Sequence, residues 1–150
     1  MRIILQRVSE ASVKIDGSIK GAIEGGLLVL LGIEAADSEV DADWLISKIS
    51  GLRIFSDSEG KMNLSIQDIN GAFLVISQFT LFASTKKGNR PSYIQAARPE
   101  QAIPLYEYFV SKLKSETNLI VETGTFGADM KVSLVNDGPV TISIDSKNKE

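Results

Sequence analysis

The chain has 150 residues, 43% hydrophobic and 23% charged, with a formal net charge of -3. These values suit one compact domain spanning 1–150 and argue against a protein that coats nucleic acid through its overall field. Cysteine and histidine are both absent, which excludes a disulfide framework, a thiol nucleophile, Ser-His-Asp and Cys-His mechanisms and the usual His- or Cys-ligated zinc sites. Any catalysis must draw its proton transfers from carboxylates, Lys, Tyr, the backbone, water or the substrate.

From the N-terminus, Ile3, Leu5, Val8, Val13 and Ile15 alternate loosely, and Asp16-Gly17 then gives a two-residue turn signal, so a β-hairpin is predicted. The run Gly25 to Ile33 reads as a fully buried strand, and it is far shorter than the roughly 20 residues that span a bilayer. The first residues show no long apolar leader, and a cytoplasmic protein with no membrane partner is expected. Ser38 is placed to cap a helix whose apolar face is Val40, Trp44, Leu45, Ile49 and Leu52, with Asp41 and Asp43 suited to its first turn.

Residues 52–55 read as a short strand before the turn at Asp57 to Gly60, and residues 73–82 as a long one. A second helix begins near Pro99, with Ala102, Leu105, Tyr106, Phe109 and Leu113 as its apolar face. Residues 119–123 form a further strand, and the polar tail from Asp145 to Glu150 is expected to fray. The sum is a mixed α/β, or α+β, layered fold: seven or eight strands in packed sheets or a barrel-like sandwich, with two main helices.

Four places could hold chemistry. In the predicted strand 73–82, Ser77, Gln78 and Thr80 interrupt an apolar element, so they are either hydrogen-bonded structural groups or the floor of a site. The loop Thr85 to Ser92 gathers Lys86, Lys87, Asn89 and Arg90, which could contact phosphates or form an ordinary solvated loop. Arg7 follows an apolar run and needs a carboxylate or several carbonyls. Finally, Val132 to Ile144 is a β-type pattern with Gly138-Pro139 in its middle. Local chemistry favours two strands joined by a turn at Asn136-Asp137-Gly138, but proline at a bulge or edge would instead present the backbone. Asp129 and Asp137 read first as loop residues, and Met130 as packing.

Taken in order, Gln6-Arg7-Val8, Gly26 to Gly32, Leu52 to Phe55, Ser77-Gln78-Phe79-Thr80-Leu81, Lys87 to Ser92, Phe126 to Met130 and Asn136 to Thr141 closely resemble the D-aminoacyl-tRNA deacylase family over nearly the whole chain. The resemblance implies a homodimer, without cofactor or metal, that hydrolyses the ester between a D-amino acid, or glycine mischarged on tRNA(Ala), and the 3′ end of a tRNA. It implies a pocket lined by Ser77, Gln78, Phe79 and Thr80. It also implies a cis Gly138-Pro139 bond inserted from the partner subunit as a filter against L-amino acids, with Arg7 and Met130 in support and Lys86, Lys87, Asn89 and Arg90 toward the tRNA. Catalysis would rest on backbone N–H groups and the ribose 2′-hydroxyl. DNA is not an expected partner. Two alternatives remain: a non-catalytic dimeric tRNA-binding module, and a hydrolase with Thr80 as nucleophile.

Overall fold

The computed structural model describes residues 1–149. Asp16 and Gly17 both take positive φ (50° and 80°), as a two-residue hairpin turn requires, and join β1 (Arg2–Ile15) to β2 (Ser18–Ile23). The apolar run becomes β3 (Gly26–Gly32). Helix α1 (Glu39–Gly51) follows, then the small pair β4 (Phe55–Ser56) and β5 (Met62–Leu64), then β6 (Ala72–Ser77) parallel to β3. Helix α2 (Pro99–Thr117) leads to β7 (Val121–Thr123), parallel to β6, and the long β8 (Lys131–Asp145) returns along β1.

The main sheet runs β2-β1-β3-β6-β7, with β8 on the other side of β1. Its ends curl toward each other: a Cβ on Gly21 of β2 would come within 2.8 Å of the Thr123 carbonyl on β7, so the absence of a side chain lets the sheet nearly close. The fold is thus the mixed α/β, barrel-like architecture with two helices that the sequence predicts. Strands β3 and β6 are buried on both faces, which is why they read as unbroken apolar runs. Leu27, Val29, Leu31, Phe73 and Val75 pack outward against Leu45, Ile46, Ile49 and Phe109 of the two helices. Leu28, Leu74 and Ile76 pack inward with Val8, Val13 and Ile23. Each such side chain contributes about 1.5–3 kcal/mol when fully buried, whereas an exposed ion pair such as Lys61–Glu59 contributes under about 1 kcal/mol, so the two apolar layers hold the fold.

Several predicted boundaries move. Val40 is 74% exposed, and the first turn of α1 instead buries Asp41 and Ala42, so that the inward stripe continues through Leu45, Ile46 and Ile49. The predicted strand 52–55 contributes only Phe55 to β4, and 119–123 is ladder-paired only from Val121. The predicted strand 73–82 stops at Ser77; Phe79–Phe82 is a 3₁₀ turn. The predicted two-strand turn at 136–138 is a bulge within one continuous β8.

The tail from Asp145 is docked rather than frayed, as far as Lys149. Ser146 is buried; its hydroxyl accepts from the Met1 ammonium at 2.9 Å and donates to Asp41 at 2.8 Å, and Lys147 donates to Asp41 at 2.9 Å. Lys149 lies over the Trp44 ring. Glu150 lies outside the described residues. Burial of Asp41 opposes its ionisation, but hydrogen bonds from Lys147, Ser146 and the Ser38 N–H outweigh that and hold its carboxyl well below the usual carboxylate range.

Because its folded pKa is depressed, Asp41 contributes stability that is full above the unfolded carboxylate value of about 3.9 and is lost as pH falls toward the folded one. The urea midpoint should therefore fall on acidification from about pH 5 to about pH 2. Asp41→Asn should be less stable at neutral pH and show a flatter acid limb; equal slopes in the two proteins would contradict this account.

Candidate active site

At the end of β6 the ladder with β3 reaches its last pair, Leu31 opposite Ser77, and the Gln78 N–H then donates to the Leu31 carbonyl at 2.7 Å. Beyond that bond the chain turns into the 3₁₀ segment, closed by Leu81 N–H to Gln78 O (3.2 Å) and Ala83 N–H to Thr80 O (3.0 Å). Gly32 permits the turn to pack: a Cβ there would lie 3.0 Å from both the Gln78 carbonyl and the Leu81 Cβ. Arg2 holds the far end, donating to the Leu81 carbonyl at 3.2 Å with its guanidinium 4.6 Å from the Phe82 ring centre. Phe79 and Thr80 open the turn, so their N–H groups have no carbonyl of that turn to take them.

A pocket of about 240 Å³ lies against this turn, its lining drawn from Ile76 to Phe79 on one side and from Phe126 to Met130 and Val132 on the other. The second wall is fixed from behind. Phe126 meets Tyr106 edge-on at 5.8 Å, and the Tyr106 hydroxyl donates to the Val75 carbonyl at 2.9 Å. Burial pushes the Tyr106 phenol up to about 12, so it remains a neutral donor. Met130 closes the floor because Gly124 leaves it room; a Cβ on Gly124 would overlap the Met130 sulfur. The exposed Asp129 on the rim is paired with Lys131 at 2.8 Å.

Gln78 Nε2 donates to Thr80 Oγ1 at 2.5 Å. The hydroxyl thus faces a donor, which cannot accept its proton. A Thr80 alkoxide has no base in this contact.

Gly138 and Pro139 are exposed, and none of the residues lining the pocket comes from 136–141. Gln6 pairs with Thr141 and Val8 with Asn136, so β1 advances two residues while β8 advances five, and the three extra residues bulge out of the sheet. The Gly138-Pro139 bond is cis. Asn136, its amide oriented by its hydrogen bonds, ties the neck, with nitrogen to the Val140 and Arg7 carbonyls at 3.1 and 3.0 Å and oxygen to the Thr141 hydroxyl at 3.1 Å. Arg7 braces the bulge from inside. Its guanidinium donates to the Asp137 carbonyl at 3.1 Å and the Ile54 carbonyl at 2.6 Å, and it lies 3.7 Å from the Asp137 carboxylate. Gly138 has φ +122°, which a side chain would strain, and a Cβ would lie 2.7 Å from Arg7 Nη2, so a larger residue would push the guanidinium off its bracing position.

These segments and the fold they share match the family model for D-Tyr-tRNA(Tyr) deacylase over residues 4–145. The chain belongs to that family. It is 63% identical to a D-aminoacyl-tRNA deacylase of Flavobacterium psychrophilum and 62% to one of Cytophaga hutchinsonii, each over the full length of both chains. Among solved structures it is similar to the c-Myc DNA unwinding element binding protein, with TM-score 0.91, 39% identity, and coverage of 97% of this chain and 98% of that one. A probable eukaryotic D-amino acid tRNA deacylase shares the fold at TM-score 0.77 and 16% identity, covering 95% of this chain and 97% of the other. The chain is thus an enzyme, a hydrolase of the deacylase class.

Of the residues singled out from the sequence, Ser77, Gln78, Phe79 and Met130 line the pocket, and Thr80 is linked to them through Gln78. Arg7, Gly138 and Pro139 form a second cluster apart from it. Lys86, Lys87, Asn89 and Arg90 are exposed on a loop closed by mutual hydrogen bonds between Ser84 and Ser92 at 2.8 and 2.9 Å. Sequence reasoning passed over Arg2, Gly124, Tyr93 and the hydroxyl of Tyr106. Only the hydroxyl carried a local signal, a phenol on an otherwise apolar helix face.

Gly124→Ala should push Met130 into the pocket and lower kcat/KM for a D-aminoacyl ester severalfold with little change in Tm. Adding Met130→Ala should restore it; a double variant no better than the single one would show that the floor is not set this way.

Proposed function

We propose that the chain hydrolyses the ester linking a D-amino acid to the 3′ end of tRNA, and also accepts glycine mischarged on tRNA(Ala). The observation that carries this reading is the meeting of Ser77-Gln78-Phe79 with Phe126 to Met130 around one pocket, in a chain of this family. The pocket offers no histidine or cysteine, so the chemistry must suit backbone groups. An aminoacyl ester is already activated. The N–H groups of Phe79 and Thr80, left open by the turn, would stabilise the oxyanion as water attacks the ester carbonyl. The neighbouring ribose 2′-hydroxyl positions that water and assists departure of the 3′-oxygen, so that amino acid and tRNA separate with the proton returned to the ribose.

Chiral selection comes from the second cluster. In one chain the Gly138-Pro139 bulge and the pocket are separate, and the bulge projects into solvent with Arg7 holding it rigid, an arrangement that favours insertion into the pocket of a second copy. There the exposed carbonyls would stand against the α-carbon. An L side chain would collide with them, while a D side chain or the hydrogen of glycine would not. The active form is then a homodimer in the cytoplasm with tRNA as its partner; among the described residues no helix is long and apolar enough to cross a membrane.

The direct test is to incubate the purified protein with D-Tyr-tRNA and L-Tyr-tRNA: release from the D ester alone is expected, and equal rates or no release would reject the proposal. A non-catalytic RNA-binding module would bind tRNA with a steep salt dependence and release nothing. Thr80→Ala should keep at least about a tenth of the activity, since removing a side chain that is not a nucleophile costs far less than removing one. Complete loss with the fold intact would instead favour a Thr80 nucleophile. Gly138→Ala, which crowds Arg7, should lower activity by an order of magnitude or more while leaving Tm within a few degrees.

A further inference from the structure

The pocket does not end at Phe79. That ring is 55% exposed and meets Tyr93 edge-on at 5.1 Å, and Tyr93 (38% exposed) is followed by Ile94 (91% exposed). Tyr93 and Ile94 in turn line a surface groove of about 590 Å³ together with Ala96 and Arg98. An apolar strip therefore leads from the pocket mouth across two aromatic rings to an open groove. A contiguous exposed apolar strip running on from a pocket marks an interaction surface, where a single exposed ring would not.

Charge identifies the partner. From Ala83 to Pro99 the chain carries Lys86, Lys87, Arg90 and Arg98 and no carboxylate, in a protein of net charge -3. The Ser84–Ser92 pairing holds the first three on a loop that ends beside Tyr93. Glu100 is the acidic residue on the groove rim, and Gln101 beside it is tied to the Ala35 carbonyl at 2.8 Å. Flat rings for stacking beside a concentration of cations suit single-stranded nucleic acid, whose bases stack and whose phosphates pair.

We propose that Phe79, Tyr93 and Ile94 form a stacking platform for the unpaired nucleotides that precede the aminoacylated terminal adenosine, with Arg98 and the Lys86–Arg90 loop taking their phosphates. This rests on the deacylase reading, which puts the terminal adenosine at the pocket. The ester is thereby presented by a strand stretched over the platform, and the platform distinguishes a tRNA end from a free aminoacyl nucleoside.

The test compares binding of uncharged tRNA with the same tRNA trimmed back to its paired acceptor stem, for wild type, Tyr93→Trp and Tyr93→Ala/Ile94→Ser. Wild type and Tyr93→Trp should bind the intact tRNA about tenfold tighter than the trimmed one, the order one stacked base contributes. The double variant should narrow that ratio severalfold, leaving only what Phe79, the cations and the pocket-bound terminal adenosine contribute, with its Tm and oligomeric state unchanged. A ratio preserved in the double variant, or no ratio in wild type, overturns the proposal. So does a change of oligomeric state, which would assign the strip to a second copy of the chain. Hydrolysis of D-Tyr-tRNA by wild type is scored separately, so failure of the deacylase reading shows as absent turnover, and failure of the platform as an unmoved binding ratio.

Discussion

The ladder between β1 and β8 is the constraint on which the rest of the molecule depends. It runs from Arg2 opposite Asp145 to Lys14 opposite Lys131. On its other edge β1 is pinned by β3 and then by β2. Held from both sides, β1 cannot slip without turning its apolar set out of the core. The surplus residues of β8 must therefore leave the sheet at one place, and Arg7 is the residue of β1 between the two pairs that flank them. The projecting Gly138-Pro139 peptide is fixed by a hydrogen-bonded frame many residues long, with Arg7 and Asn136 as local ties. A loop of the same sequence without that frame would sample many conformations.

On the proposed mechanism, a site built from amides and peptide groups must do by placement what an ionisable catalyst does by proton affinity. Backbone donors stabilise a developing charge only if they need not reorganise, so rigidity substitutes for acidity. The molecule supplies it by seating the pocket between β6, buried on both faces, and the Phe126 loop backed by Tyr106. Neutral groups dominate the pocket walls, and the rim carboxylate Asp129 is held by Lys131.

Much of this was legible because local and global preferences agree. The hairpin at Asp16-Gly17, the two-sided burial of β3 and the apolar face of α2 follow from turn chemistry and periodicity. The reading failed where distant residues decide. Phe79, Leu81 and Phe82 continue the alternation of β6, yet Arg2, from the other end of the chain, and the space at Gly32 fold them into a 3₁₀ turn. Ser146 and Lys147 look like a polar tail until Met1 and Asp41 are brought beside them. Tyr93 stands alone in a polar loop, and its partner Phe79 is visible only in space. The residues of the site itself were found through their resemblance to a family, because Ser, Gln and Thr on an apolar segment have ordinary structural uses.

The last rung between β3 and β6, the bond from Gln78 to Leu31, has an architectural consequence. Both strands point the same way, so the pocket opens beyond their carboxyl ends, where open α/β sheets also bind their ligands. There the ladder runs out and peptide dipoles are left without a neighbouring strand to pair with. A parallel pair of short strands inside a small, almost closed barrel thus creates a mouth whose peptide groups add to the polarity of Ser77 and Gln78. Residues past Ser77 can vary the pocket while the sheet that carries it stays the same, which separates what the enzyme recognises from what keeps it folded.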